Sequence, residues 1–173
     1  MAYETVKSEL AYKGLIIDVT RDTVVLPDGR AAVREVVLHG GAAAVVAADG
    51  DGKLVFVRQY RHPAGALVLE IPAGTLEPGE DPRVCAAREL EEETGIKAGK
   101  LSFLFKLYTT IGFCSEVIHI YLAEDLAEGS QDLDEDEFLT VERYTPEEAA
   151  ELVRNGGIVD GKTIAAVMYY LLL

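Results

Sequence analysis

An α+β domain is the fold class this chain predicts, on three observations. Apolar, β-branched runs separated by Gly, Pro and Asp turn signals recur from Gly14 to Ile71. A capped helical pattern follows from Pro82 to Thr94, and two more close the chain after Thr145. With 173 residues, 49% hydrophobic content and no linker, repeat or low-complexity tract, one packed domain is the expectation.

In chain order, Gly14–Val19 and Thr23–Leu26 read as strands, with turn chemistry at Pro27-Asp28-Gly29. Val33–Leu38 follows, and after Gly40-Gly41 comes a buried-looking strand over Ala42–Ala47. Asp49-Gly50-Asp51-Gly52 is a hairpin signal leading into Leu54–Arg58. Ala66–Ile71 alternates as a strand and stops at Pro72. Asp81 is a suitable N-cap and Pro82 a suitable first-turn residue for a helix that Gly95 ends. Leu101–Tyr108 and Glu116–Leu122 are strand-like. Thr145-Pro-Glu-Glu148 carries a capping box and opens a helix that Asn155-Gly156 ends. A last helix is predicted over about Thr163–Leu172, its apolar tail packed rather than free.

The helix at 82–94 is chemically unusual. Glu89, Glu92 and Glu93 share one face as i, i+3 and i+4, with Glu91 pointing away toward solvent. Such like-charged pairs destabilise a helix by roughly 0.2–0.5 kcal/mol each. Clustered carboxylate oxygens are the preferred ligands of hard divalent cations. A glutamate run is more commonly a solvated face, but Arg88 lies four residues before Glu92, placed to pair with or orient a carboxylate. Ala87, Leu90 and Thr94 are expected to form the core face, with Cys85 a filler.

The net charge of −14 argues against nucleic acid as a partner, because such proteins carry a basic footprint. No run reaches the ~18 apolar residues of a membrane span, and MAYETVKSEL lacks a signal peptide's apolar core. Cys85 and Cys114 offer neither a disulfide framework nor a metal pair, so a cytoplasmic location is the expectation.

The segment GTLEPGEDPRVCAARELEEETGI, Gly74 to Ile96, resembles the Nudix box G-x5-E-x7-R-E-U-x-E-E-x-G-U (U aliphatic). It matches at every specified position: Gly74, Glu80, Arg88, Glu89, Leu90, Glu92, Glu93, Gly95 and Ile96. REVV from Arg34, VRQYRHP from Val57, LEIPAG from Leu69 and DEDEF from Asp134 resemble the ADP-ribose pyrophosphatase branch. The likeness runs over about residues 20–165. It implies a Nudix-type α/β/α sandwich with a mixed β-sheet and an N-terminal antiparallel β-hairpin region. The chain is then one domain over 1–173, with a dimer-forming β region at about 1–40 and a catalytic core at 41–173.

The resemblance also assigns chemistry. Two or more Mg²⁺ or Mn²⁺ ions are expected, held first by Glu89 and Glu93, next by Glu92, and by the Ala73 carbonyl and Glu137. Since the substrate is an anion, a carboxylate-rich site can receive it only when cations reverse the local charge. Glu93, Glu92 and Arg88 belong to the catalytic set; Glu80 supports the helix or binds a metal more loosely. Glu135 in the acidic loop is the first choice of base, with Glu137 and Glu116 as alternatives. Arg61, secondly Arg58, and Arg34, placed by the family near substrate and across a dimer interface, are candidate phosphate ligands, with Glu116 beside the substrate. Tyr60 and Phe113 are candidates to stack on adenine, although core packing is the commoner role. The implied reaction is metal-dependent hydrolysis of a nucleoside diphosphate linked to another group, first ADP-ribose to AMP and ribose 5-phosphate. Many relatives have Ser-Pro-Gly where this chain has Thr110-Ile111-Gly112, so sugar nucleotides, NADH and diadenosine polyphosphates stay open. A non-catalytic nucleotide-binding regulatory module is the alternative of a different class.

One further motif, Gly156-Gly-Ile-Val-Asp-Gly-Lys-Thr163, satisfies the P-loop pattern GxxxxGK[ST]. A helix rather than a strand precedes it, so Asp160 and Lys162 are expected to shape a helix N-terminus instead.

Overall fold

In the computed structural model, which describes residues 3–135 and 137–173, the described residues form ten strands and three α-helices, with a short 3-10 turn at His62–Ala64. They are β1 (Glu4–Lys13), β2 (Ile17–Val25), β3 (Ala31–His39), β4 (Ala42–Ala48), β5 (Leu54–Arg61), β6 (Ala66–Glu70) and β7 (Ala73–Thr75). Then come α1 (Pro82–Thr94), β8 (Ile96–Tyr108), β9 (Val117–Glu128), β10 (Leu139–Tyr144), α2 (Pro146–Asn155) and α3 (Gly161–Tyr170).

Two compact units result. The first joins the chain up to Gly41 with Tyr108–Val117 and contains the antiparallel sheet β1-β2-β3. The β2–β3 hairpin pairs Ile17 with His39 through to Val25 with Ala31. Its turn uses Gly29 at φ +84, whose N–H donates to Leu26 O at 2.9 Å. Sequence reading divides Ile17–Val25 into two runs, whereas the polar Arg21 and Asp22 sit within one continuous strand. It also passes over β1, every residue of which is exposed, so no buried face imprints a pattern on it.

The second unit, Ala42–Leu107 with Ile118–Leu173, is built on a mixed sheet ordered β10-β5-β4-β9-β8, with β6 on β5 and β7 on β4. β4 runs parallel to β9 and antiparallel to β5 and β7. Strand periodicity explains the layers. Ala42, Ala44 and Val46 face a core shared with Ala149 of α2 and Ala166 and Val167 of α3. Ala43, Val45 and Ala47 face the opposite core, with Cys85, Ala86 and Leu90 of α1. A strand buried on both faces must be apolar throughout, as Ala42–Ala47 is, and helices on both faces make the α/β/α sandwich.

The helix ends follow the sequence reading. Asp81 accepts from Arg83 N at 2.8 Å, and Gly95, at φ +68, donates to Glu91 O at 2.7 Å. Thr145 and Glu148 form the expected capping box on α2. Two expectations are corrected. Ala87 is exposed, and the buried face of α1 is Cys85, Ala86, Leu90 and Glu93, one residue round from the face predicted. The apolar tail is not packed: Leu172 is 85% exposed and Leu173 71%. Among the described residues no helix is long and apolar enough to cross a membrane.

Candidate active site

β7 brings its backbone beside α1 because both elements pack on β4. At this junction Glu93 is 2% exposed, and its Oε2 accepts from Ala73 N at 3.0 Å. Burial pushes the Glu93 carboxyl up to about 8; the Ala73 N–H opposes this, while the charges of Glu89 and Glu137 add to it. Burial likewise raises the Glu89 carboxyl against the pull of Arg88, with Glu92 and Glu137 adding to the rise. Four acids, Glu89, Glu92, Glu93 and Glu137, thus act on one another beside a strand end. Gly74 fits closely against them: a Cβ there would lie 1.9 Å from the Glu89 carboxylate.

Arg88 supplies the compensating charge within the chain. Its Nη1 donates to Glu89 Oε1 at 2.7 Å and to Glu92 Oε2 at 2.8 Å. Its Nε and Nη2 grip the two Glu80 oxygens at 3.0 Å each, and Nη2 reaches Thr75 O at 3.4 Å. One guanidinium therefore ties the helix face to the preceding loop and to β7. Among the described residues no three His, Cys, Asp or Glu side chains converge as a formed ligand cage. Fit to a divalent cation rests instead on donor chemistry: hard carboxylate oxygens, one of them buried, with Glu89 and Glu137 raising Glu93 and only Arg88 and the charge of Arg61 to offset the crowding.

Glu80 reads out this network through pH. Its hydrogen bonds to Arg88 hold the carboxyl down to about 2 from an ordinary 4.5, against the opposing effect of burial. A carboxyl depressed in the folded state stabilises above its unfolded value and loses that contribution as pH falls through its folded one. Wild-type protein is therefore expected to lose stability between about pH 4.5 and 2, and Glu80→Gln to lose less over that window. Melting curves at stepped pH check this; parallel wild-type and variant curves would contradict it.

Cys85 is fully buried, and burial pushes its thiol up to about 12, which suits the filler role and not a nucleophile. Glu91 is not simply solvated: it pairs with Lys97 at 3.2 Å and accepts from Ser130 N at 3.4 Å.

Beyond α1, the acidic loop divides. Glu137 is half-buried and near enough to Glu89 and Glu93 for its charge to raise both, whereas Glu135 is an exposed turn residue; Asp136 lies outside the described residues. An open cleft of about 300 Å³ begins at Glu137, lined also by Arg58, Leu67, Leu133, Phe138, Leu139 and Thr140. Phe138 is 81% exposed there and is an aromatic that sequence reading did not single out. Tyr60 and Phe113, for which core packing is the ordinary expectation, are both more than half exposed.

The two arginines of VRQYR differ. Arg58 is bound at both Nε and Nη2 by Glu142 of β10, at 2.5 and 3.1 Å. Arg61 is bound the same way by Glu70, at 2.7 and 2.8 Å, and lies close enough to Glu93 for that carboxylate to raise its pKa further. Glu70, 2% exposed, is a site-supporting residue missed from sequence; a carboxylate inside the apolar run Ala66–Ile71 was the available signal, since a buried charge needs a partner. Arg34 and Glu116 belong to the other unit. There Arg34 is exposed on β3, and Glu116 stands 3.6 Å from His39 Nδ1.

Compared with known proteins, residues 38–167 match the NUDIX domain and residues 3–37 the nucleoside diphosphate sugar hydrolase N-terminal domain. The chain is 45% identical to the ADP-ribose pyrophosphatase of Bacillus subtilis (strain 168), over 96% of this chain and 91% of that one. It is 44% identical to the methanol dehydrogenase activator of Bacillus methanolicus, with the same coverage of 96% and 91%. A crystal structure titled as an ADP compounds hydrolase superposes with a TM-score of 0.87, covering 98% of this chain and 92% of its own, at 24% identity. That likeness shows the fold.

Proposed function

The chain belongs to the NUDIX family, and from that premise we propose that it hydrolyses ADP-ribose, with divalent metal, to AMP and ribose 5-phosphate. The observation that carries the chemistry is the crowd of mutually repelling carboxylates Glu89, Glu93 and Glu137 at the end of β7. ADP-ribose is favoured among diphosphates by the relative of that activity at 45% identity.

Glu89, Glu93, Glu92, Glu137 and the Ala73 carbonyl would hold two or more Mg²⁺ or Mn²⁺ ions. When bound, the ions supply charge neutralisation for the diphosphate and for its transition state. The remaining roles fall to the chain. Arg88 keeps Glu89 and Glu92 extended and ties both to Glu80. Gly74 leaves room for Glu89 against the backbone. Arg61, with 42% of its side chain exposed, offers the outer edge of its guanidinium to a phosphate, whereas Arg58 is committed to Glu142 and lines the cleft. Glu135 takes the proton from the attacking water as the P–O–P bridge opens, and Glu137 faces the box acids from the same loop. The apolar cleft beside Glu137, with Phe138 exposed at its rim, suits the nucleobase. Arg34 and Glu116 are assigned to substrate, Arg34 across a homodimer interface. Exposed Val6, Leu10 and Tyr12 on β1 support that dimer, because apolar side chains gathered on one strand favour being covered. A cytoplasmic location accords with two free cysteines.

The relative named as a methanol dehydrogenase activator supports a second reading, action on a partner enzyme. Purified protein tested alone on ADP-ribose, GDP-mannose and NADH with Mg²⁺ separates the readings. ADP-ribose is expected to be turned over fastest, and excess chelator to abolish turnover. Turnover that survives complete metal depletion would overturn the mechanism, and faster hydrolysis of GDP-mannose or NADH would overturn the substrate.

A further inference from the structure

The motif at Asp160–Thr163 has a use other than binding nucleotide. We propose that Lys162 is a positioning residue that sets the Arg61 guanidinium through Glu70; the inference rests on Arg61 being a phosphate ligand.

Glu70 is almost wholly buried and faces two cations. Its Oε1 accepts from Arg61 Nε at 2.7 Å, and its Oε2 accepts both from Arg61 Nη2 at 2.8 Å and from Lys162 Nζ at 2.5 Å. Burial alone would raise the Glu70 carboxyl, yet hydrogen bonding to Arg61 and the charge of Lys162 bring it below its ordinary value. Glu70 is thus an anion between two cations, and its single negative charge is divided. Without Lys162 that charge would fall on Arg61 alone, leaving less of the guanidinium's charge to act outward on a phosphate.

Lys162 is itself fixed. Its side chain is 10% exposed, and Nζ also donates to Asp160 Oδ2 at 3.0 Å. Asp160 caps α3 by accepting from Thr163 N at 3.0 Å and from Thr163 Oγ1 at 2.6 Å. Thr163 Oγ1 in turn accepts from Ile71 N at 2.9 Å. The first turn of α3 therefore holds the Glu70 side chain and the Ile71 backbone, two consecutive residues that lead directly into Pro72 and Ala73. The resemblance to a P-loop lies in the letters only: the lysine that would meet a phosphate is spent on a carboxylate, one residue removed from the phosphate-facing arginine.

The test is a double-mutant cycle with a spectroscopic arm. Lys162→Met is expected to raise KM for ADP-ribose ~tenfold with kcat within ~threefold, and Arg61→Met/Lys162→Met to be no worse than Arg61→Met alone, as for residues acting in series. Lys162→Arg, which keeps the charge, should recover most of the lost KM. Independently of turnover, the Arg61 Nε–H NMR resonance should move in Lys162→Met; Lys162→Gln serves should the methionine variant not fold. Effects of Arg61→Met and Lys162→Met that multiply, or an Arg61 resonance unmoved by loss of the lysine charge, would overturn the proposal. A wild type that hydrolyses no nucleoside diphosphate would instead overturn the proposed function, and the Arg61 resonance then decides the positioning claim alone.

Discussion

Glu93→Gln is expected to lower kcat for ADP-ribose hydrolysis ~10³-fold, the scale of several kcal/mol of charge stabilisation in a metal-assisted reaction. The amide keeps the shape and can still accept from Ala73 N, so the fold should survive. In chelator-treated protein the variant should melt no lower than wild type. The sign follows from burial. A carboxyl raised in the folded state contributes stability at low pH and loses it as pH rises through the folded value, here from about 4.5 to about 8. Metal-free wild type should therefore weaken across that window more than Glu93→Gln does, since the raised Glu89 carboxyl remains in both. Steady-state kinetics and melting curves with excess chelator check both halves. Wild-type rates in the variant would remove Glu93 from the mechanism.

Gly74→Ala is expected to cost ~10²-fold in kcat, about 3 kcal/mol of transition-state stabilisation, with a smaller effect on stability. The added methyl would meet the end of the Glu89 side chain at 1.9 Å, and a flexible carboxylate can swing aside where backbone could not. Glu89 would then leave both Arg88 and the Glu93 side of the site. The fold loses little; the site loses a carboxylate. Kinetics paired with a melting curve separate the two: a large drop in melting temperature with full activity per folded molecule would contradict this account.

The box on α1 was legible because local rules fix it: an N-cap, a C′ glycine and 3.6-residue spacing place the glutamates before any tertiary contact forms. The division of labour among those glutamates was not legible. Glu93 turns inward and joins Leu90 in the buried face because α1 packs one residue round from the expected stripe, a tertiary outcome that displaces Ala87. β4 was plain as an unbroken apolar run, and its two-sided burial is why. β1 and β10 left no trace: β1 has no buried face, and β10 is a six-residue strand of mixed burial. Long-range ion pairs stay hidden for a simpler reason. Nothing local relates Glu70 to Lys162 or Arg58 to Glu142, since chain topology alone brings them together.

The carboxylates of α1, gathered against β7, are proposed to support metal-dependent hydrolysis of a nucleoside diphosphate. Phosphorus NMR of ADP-ribose incubated with the purified protein and Mg²⁺ tests it most directly. The paired diphosphate signals are expected to give way to equal AMP and ribose 5-phosphate signals, and chelator is expected to arrest the change. Saturable binding of ADP-ribose with the diphosphate left intact would contradict it.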